Sequence, residues 1–313
     1  VLVMAGDHGI VSEGVSVYPQ EVTGAMVQTF LAGGAGINAI CRHVSADVYV
    51  VDMGIIADFA DADRPAGDRL IIHKIAPGTA NFARGPAMSR QEAEQAVRLG
   101  FQEASRLFQG GVDIIGTGDM GIGNTTPSAA IGAVLCGTDL SEMVGRGTGV
   151  DDEGLSRKQE VIRRGIEVNN PIAADGFDVL SKIGGFEIGG IAGCVLAGAY
   201  HRRPVMIDGF ISTAGALIAQ VGEVQAVDRL PAEIIDRPHR WDDTATPGLG
   251  KKGAVVPQAQ IPVASAEVDD LQAPALGELG RVDVVTHRDC LDVRILRFPV
   301  LRSVDDHDSL GHL

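Results

Sequence analysis

Four short apolar runs in this chain each reach a glycine beside an aspartate, and that repetition limits the fold more than any other feature. The runs are VLVMAG at 1–6, DVYVVDMG at 47–54, VDIIGTG at 112–118 and PVMIDG at 204–209; the acids are Asp7, Asp52, Asp119 and Asp208. Short runs rich in Val, Ile and Met suit strands buried on both faces, the condition of a parallel sheet. Longer stretches with helical spacing lie between them, and helices are predicted at about 20–43, 89–108, 126–138, 151–169, 188–202 and 212–222. The alternation predicts a three-layer α/β fold, a parallel sheet with helices on both faces. In such sheets ligands bind at the carboxyl ends of the strands, so the four aspartate turns are expected on one rim.

Glycine supports this reading: 41 of the 313 residues are glycine while only 4% are aromatic, which implies an aliphatic core, tight turns and close backbone approaches. The charge balance narrows the partners. With 26 basic against 41 acidic residues the net charge is -15, a field that repels phosphate backbones and anionic lipid, so neither nucleic acid nor a membrane is expected. The longest uncharged stretch, Val22 to Cys41, contains Gln28, Asn38, Gly33, Gly34 and Gly36 and does not suit a hydrocarbon-spanning helix. Cys41, Cys136, Cys194 and Cys290 lie far apart without metal or redox spacing, and the eight histidines show no ligand spacing. Buried reduced thiols, a cytoplasmic location and no metal or cofactor are therefore expected.

Two composition boundaries shape the organisation. The chain begins inside an apolar run with no initiator Met or charged leader, which reads as a protein missing its opening segment. Near residue 222 the texture changes: 35 glycines and 41 charged residues precede that point, 6 and 26 follow it. Residues 1–222 read as one α/β domain and 223–313 as an atypical tail, where stretches such as RPHRWDDTATPGLGKKG and RSVDDHDSLGHL keep neither the helical nor the strand period.

The densest motif is GTGDMGIGNTTPSAAI at 116–131. Gly121 and Gly123 lead into Asn124, Thr125 and Thr126 at a helix start, where backbone N–H groups, hydroxyls and the helix dipole can cradle an anion. A tight structural turn capped by Thr126 fits the same residues. In the stretch 144–168, Lys158 shares an apolar helical stripe with Leu155, Ile162 and Ile166; it either snorkels to the rim or holds an anion. Glycines 189, 190 and 193 suit close helix packing. Glu187 beside them is either aimed at a ligand or serves near the helix start, and His8 is a turn or supporting residue more than a ligand.

The strings AGDHGIVSEGVSVYPQEVTGAMVQTFLAGGAGINAI, GTANFARGPAMS, GTGDMGIGNTTPSAAI, VGRGTGVDDEGLSRK, GGFEIGGIAGCVLAGAY and PVMIDGFISTAGALIA follow one another over residues 1 to about 222. Together they resemble the nicotinate-nucleotide:dimethylbenzimidazole phosphoribosyltransferase family of cobalamin nucleotide-loop assembly. The resemblance implies a Rossmann-like fold, a homodimer, and transfer of phosphoribose from nicotinate mononucleotide to 5,6-dimethylbenzimidazole, giving α-ribazole 5'-phosphate and nicotinate. A cationic pyridinium leaves with the electron pair of its glycosidic bond, so this chemistry needs no metal to neutralise a diphosphate. It needs a grip on the phosphate, an oriented benzimidazole and a carboxylate for the ring proton.

Carried over by motif, Gly121, Gly123, Lys158 and Gly209 stand at phosphate and nucleotide contacts, with Asn124, Thr125 and Asp208 beside them, while Ser16, Tyr18 and Gln20 stand in the benzimidazole pocket. Met120, Ile122 and Phe210 are pocket walls or plain core. Asp119 replaces the glutamate of the family's GEMGIGNTT, which retracts the carboxylate by one methylene. The family's LGEGTG motif, which carries its catalytic glutamate, has no close match; the nearest string, LGELG at 276–280, makes Glu278 the other candidate acid. An active transferase and a binding remnant without turnover both fit the sequence.

Overall fold

The computed structural model describes residues 1–59, 69–226, 281–288 and 292–299. Strand β1 (Leu2–Gly6) is buried along its whole length at the middle of the sheet. β2 (Tyr49–Gly54) lies on one side of it with β3 (Leu70–Ile72) beyond; β4 (Ile115–Met120) lies on the other with β5 (Val205–Asp208) beyond. Every one of these pairings is parallel. The carboxyl ends of β1, β2, β4 and β5 therefore share one edge, and with them Asp7, Asp52, Asp119 and Asp208, as expected from the four glycine-terminated runs.

The order β3-β2-β1-β4-β5 has a consequence for binding. The chain first steps outward from β1 through β2 to β3, then returns to β4 on the opposite side. Diverging connections open a crevice between the carboxyl ends of β1 and β4, the place where doubly wound sheets bind ligands. Two further strands extend the sheet beyond β5: β6 (Arg281–Arg288), parallel to it, and β7 (Asp292–Pro299), antiparallel to β6.

Alternation along the strands places helices on both faces. On one face Val3, Ala5 and Val50 pack with Val27 of α1 (Val22–Leu31) and Cys41 of α2 (Gly36–His43). On the other, the intervening Met4 and Met53 reach Gly190 of α8 (Phe186–His201), where an added Cβ would stand 3.1 Å from Met4 Sδ and 3.2 Å from Met53 Cε. Helix α3 (Arg90–Gln109) backs α8. The two helices meet backbone to backbone: a Cβ at Gly100 would lie 1.9 Å from the Gly190 carbonyl oxygen, and one at Gly193 2.0 Å from that of Val97. The glycines of 189–193 are thus packing residues, and α8 is buried from Phe186 to Gly198.

The helix predicted at 20–43 is two helices. Gly33 adopts φ 77, open to glycine at little cost, and turns the chain between α1 and α2. Side chains close the break: Asn38 Nδ2 donates to the Phe30 carbonyl and Arg42 Nη1 to that of Gly33. Val22–His43 is the described segment with the length and apolarity of a membrane span; here it is split and laid on the sheet. The remaining helices are α4 (Thr125–Cys136), the short α5 (Leu140–Met143), α6 (Asp152–Asn169), α7 (Gly176–Ile183) and α9 (Phe210–Ala226). Neither β3 nor α7 was anticipated. Cys41 and Cys194 are buried thiols as expected, whereas Cys136 is exposed at the end of α4.

Candidate active site

The glycine turn after β4 forms because two backbones come together at the crevice. A Cβ at Gly121 would lie 2.2 Å from the Gly6 carbonyl oxygen at the end of β1, so this position admits no side chain. Gly123 has φ 87, which starts α4 at the required angle. Thr23 of α1 holds the turn from above, its Oγ1 accepting from the Ile122 N–H at 3.1 Å. Thr126 does not cap the helix: it lies inside the first turn, fully buried, and Asn124 is the residue at the cap position.

Consecutive neutral residues at that helix start bind groups of opposite charge. Asn124 Nδ2 donates to Asp119 Oδ2 at 2.8 Å. The hydroxyl of Thr125 accepts from Lys158 Nζ at 2.7 Å, and the carbonyl of Gly145 accepts from the same ammonium at 3.3 Å. Lys158 does not snorkel; it is 1% exposed, reaching from α6 beneath the loop 145–149. It forms no ion pair among the described residues, and burial pushes its pKa down to about 8. An ammonium has three N–H donors and two have protein acceptors here. Asp119 moves the opposite way. Burial pushes its carboxyl up to about 6, with Glu187 adding to the rise while the Asn124 amide and His8 oppose it.

Under the turn sits a pair separated by 179 positions in sequence. His8 Nε2 donates to Glu187 Oε1 at 2.7 Å, with His8 1% and Glu187 0% exposed. Glu187 enters from the first turn of α8 and His8 from the turn after β1, so the pair closes the floor of the crevice. His8 Nδ1, Glu187 Oε2 and Asp7 Oδ1 are buried with no hydrogen-bond partner. Burial is the largest influence on the His8 pKa and lowers it, but the Glu187 carboxylate together with Asp7 and Asp119 outweighs it and the net direction is upward. Sequence reasoning singled out His8 and Glu187 separately and did not join them. The available signal was two ionisable residues set in otherwise apolar, glycine-rich stretches.

The other expected site residues divide by their partners. Gln20 donates through Nε2 to the His8 carbonyl at 3.1 Å, which binds it to the same floor. Ser16 Oγ is 3.4 Å from Thr148 Oγ1 and also accepts from the Tyr18 N–H. Tyr18 is half exposed. Ile122 is buried, Met120 packs partly against the α1–α2 side of the core, and Asp208, Gly209 and Phe210 lie exposed at the end of β5. Asp52 serves its own turn, its Oδ1 accepting from the N–H groups of Gly54 and Ile55, whereas Asp7 ties the turn after β1 to the turn after β2, its Oδ2 accepting from the Ile56 N–H. Glu278 lies outside the described residues.

The profile of a family described as phosphoribosyltransferase matches residues 1–232. A nicotinate-nucleotide--dimethylbenzimidazole phosphoribosyltransferase of Geotalea uraniireducens (strain Rf4) is 55% identical over 219 residues, which is 70% of this chain and 61% of that protein. A protein of the same name from Desulforudis audaxviator (strain MP104C) is 52% identical over 238 residues, 74% of this chain and 66% of its own length. Among solved structures, that of CobT from Thermus thermophilus superposes with a TM-score of 0.66 at 43% identity, covering 72% of this chain and 66% of that one. The chain spans 61% and 66% of the length of these two curated relatives.

Proposed function

The chain belongs to the nicotinate-nucleotide--dimethylbenzimidazole phosphoribosyltransferase family, and we propose that it carries that family's reaction: phosphoribosyl transfer from nicotinate mononucleotide to 5,6-dimethylbenzimidazole. The observation that carries the reading is the pairing of Asp119 and Lys158 with consecutive residues of one helix start. A ribose phosphate set against the α4 N-terminus would place its anion at Lys158, with the Gly121 and Gly123 backbone and Thr125 as further donors. The anomeric carbon would then face the Asp119 side of the same turn.

The chemistry follows from that placement. One benzimidazole nitrogen attacks the anomeric carbon as the bond to the pyridinium nitrogen breaks, and the bond's electron pair leaves with nicotinate. The proton on the other benzimidazole nitrogen passes to the Asp119 carboxylate. A carboxyl with a pKa near 6 is ionised at neutral pH and basic enough to accept that proton. Gln20 and Ser16 line the acceptor side, and Asp208, Gly209 and Phe210 the outer rim. The residues need no metal or cofactor for these steps. The negative surface charge favours small-molecule substrates over nucleic acid or membrane, and the family reading adds a homodimer acting in the cytoplasm.

The test is direct. α-Ribazole 5'-phosphate should form when the purified chain is given both substrates, and Asp119→Asn should abolish most of it. A chain that binds nicotinate mononucleotide by calorimetry yet forms no product under any condition would be the binding remnant instead.

A further inference from the structure

The geometry under the glycine turn assigns a role to a pair that the reaction as described leaves unused. A Cβ built on Gly121 would stand 3.2 Å from His8 Nε2, so the imidazole lies directly beneath the turn that follows Asp119. A Cβ on Gly185 would stand 2.5 Å from His8 Cε1 and 2.7 Å from Glu187 Oε2. Glycines thus clear space on two sides for one buried ion pair. Burying two charges is costly, and a pair of apolar residues in the same volume is often as stable. The floor of the crevice could have been apolar, as the rest of α8 is.

We propose that His8 and Glu187 are a positioning pair for Asp119, in which the imidazolium offsets part of the field of Glu187 so that the Asp119 carboxylate can take the benzimidazole proton at neutral pH. The inference rests on the reading of Asp119 as the proton acceptor. Among the described residues, the charged groups that act on Asp119 are His8 and Glu187. His8 comes from the β1 turn and Glu187 from α8, and their effects on Asp119 have opposite signs. Asp7 faces His8 and holds the Ile56 N–H. Asp208 at the end of β5 is exposed to solvent, α4 contributes the neutral Asn124, and α1 contributes the neutral Thr23. A lone carboxylate at Glu187 would oppose ionisation of Asp119, and the adjacent imidazolium reduces that opposition.

His8→Asn leaves the Glu187 charge uncompensated. The acid limb of kcat/KM should move up by about one pH unit, a loss of roughly tenfold at pH 6 that nearly vanishes at pH 9. Adding Glu187→Gln should return the limb close to its original position, because no charge remains to cancel. A structural role would lower the rate equally at all pH values in both variants and leave the limb in place, which overturns the proposal. Carbon-13 NMR of the Asp119 carboxyl, assigned with Asp119→Asn, needs no turnover. A chain without product whose Asp119 signal still titrates higher in His8→Asn refutes the transferase reading alone, and a signal that does not respond refutes the pair. The unmodified chain supplies a check that survives misfolding of either variant: nitrogen-15 shifts should show His8 doubly protonated at pH 7, and a neutral imidazole there overturns the proposal.

Discussion

Lys158 should be a source of instability in the free protein, and replacing it should make the fold stronger while weakening its grip on the phosphate. Its ammonium is 1% exposed and pairs with a hydroxyl and a carbonyl, not a carboxylate. Burial lowers its pKa from 10.5 to about 8. At roughly 1.4 kcal/mol per pH unit, holding it charged at neutral pH costs about 3 kcal/mol relative to the unfolded chain. Lys158→Met keeps the length of the stem, removes the charge and gives up two hydrogen bonds that contribute about 2 kcal/mol together. The net expectation is a gain near 1 kcal/mol, or a rise of roughly 2–4 °C in the unfolding midpoint for a chain of this size. Because the folded pKa lies below the unfolded one, wild type regains this stability as pH rises from about 8 towards 10.5, so the gap to the variant should narrow there. Urea unfolding in phosphate-free buffer between pH 7 and 10 measures both quantities. Calorimetry should show nicotinate mononucleotide binding weakened by about 1.5–3 kcal/mol. A variant less stable than wild type at pH 7, or a gap that widens with pH, would refute the reasoning.

Asp119→Asn should lower kcat/KM by about 100 to 10,000-fold with nicotinate mononucleotide affinity changed only a few-fold, as read by initial rates and calorimetry. Its folded pKa is raised, so in the free wild type the stability it contributes is full below about pH 4 and is lost as pH rises through about 6; that decline, at most about 3 kcal/mol, should disappear in the variant. Gly100→Ala should destabilise the fold by about 3 kcal/mol or more in urea titrations, since its Cβ would sit 1.9 Å from the Gly190 carbonyl oxygen; an unchanged midpoint would mean that α3 and α8 can separate without cost.

The strand ends were legible because an apolar run stopping at glycine leaves few alternatives, and the four aspartates do share an edge. Their roles were not legible. Asp7 and Asp52 look like Asp119 in sequence, yet they are engaged by backbone N–H groups two to 49 positions away, a matter of turn geometry. The break between α1 and α2 was hidden because the composition is continuous across it and the turn depends on the backbone of Gly33 and on the Asn38 and Arg42 side chains. Lys158 was legible as a lysine on an apolar stripe, but its direction was decided by Thr125 and Gly145. The His8–Glu187 pair was beyond reach, because joining residues 179 positions apart requires knowing that α8 begins under β1.

The glycine crossing of α3 and α8 also fixes a hierarchy of local motion. Helix α8 is buried from Phe186 to Gly198 and touches α3 through backbone atoms at its glycines, so at that crossing no side chain stands between the two backbones that could swing aside to admit water. Its amide protons should exchange with solvent only when the whole domain unfolds, and they report global stability. The 145–149 loop over Lys158 is exposed, with Gly147 and Gly149 at positive φ, and its amides can exchange through local opening alone. The two charges that bracket the crevice therefore belong to different dynamic classes: the carboxylate floor keeps the timescale of the core, and the lysine side keeps the timescale of a surface loop.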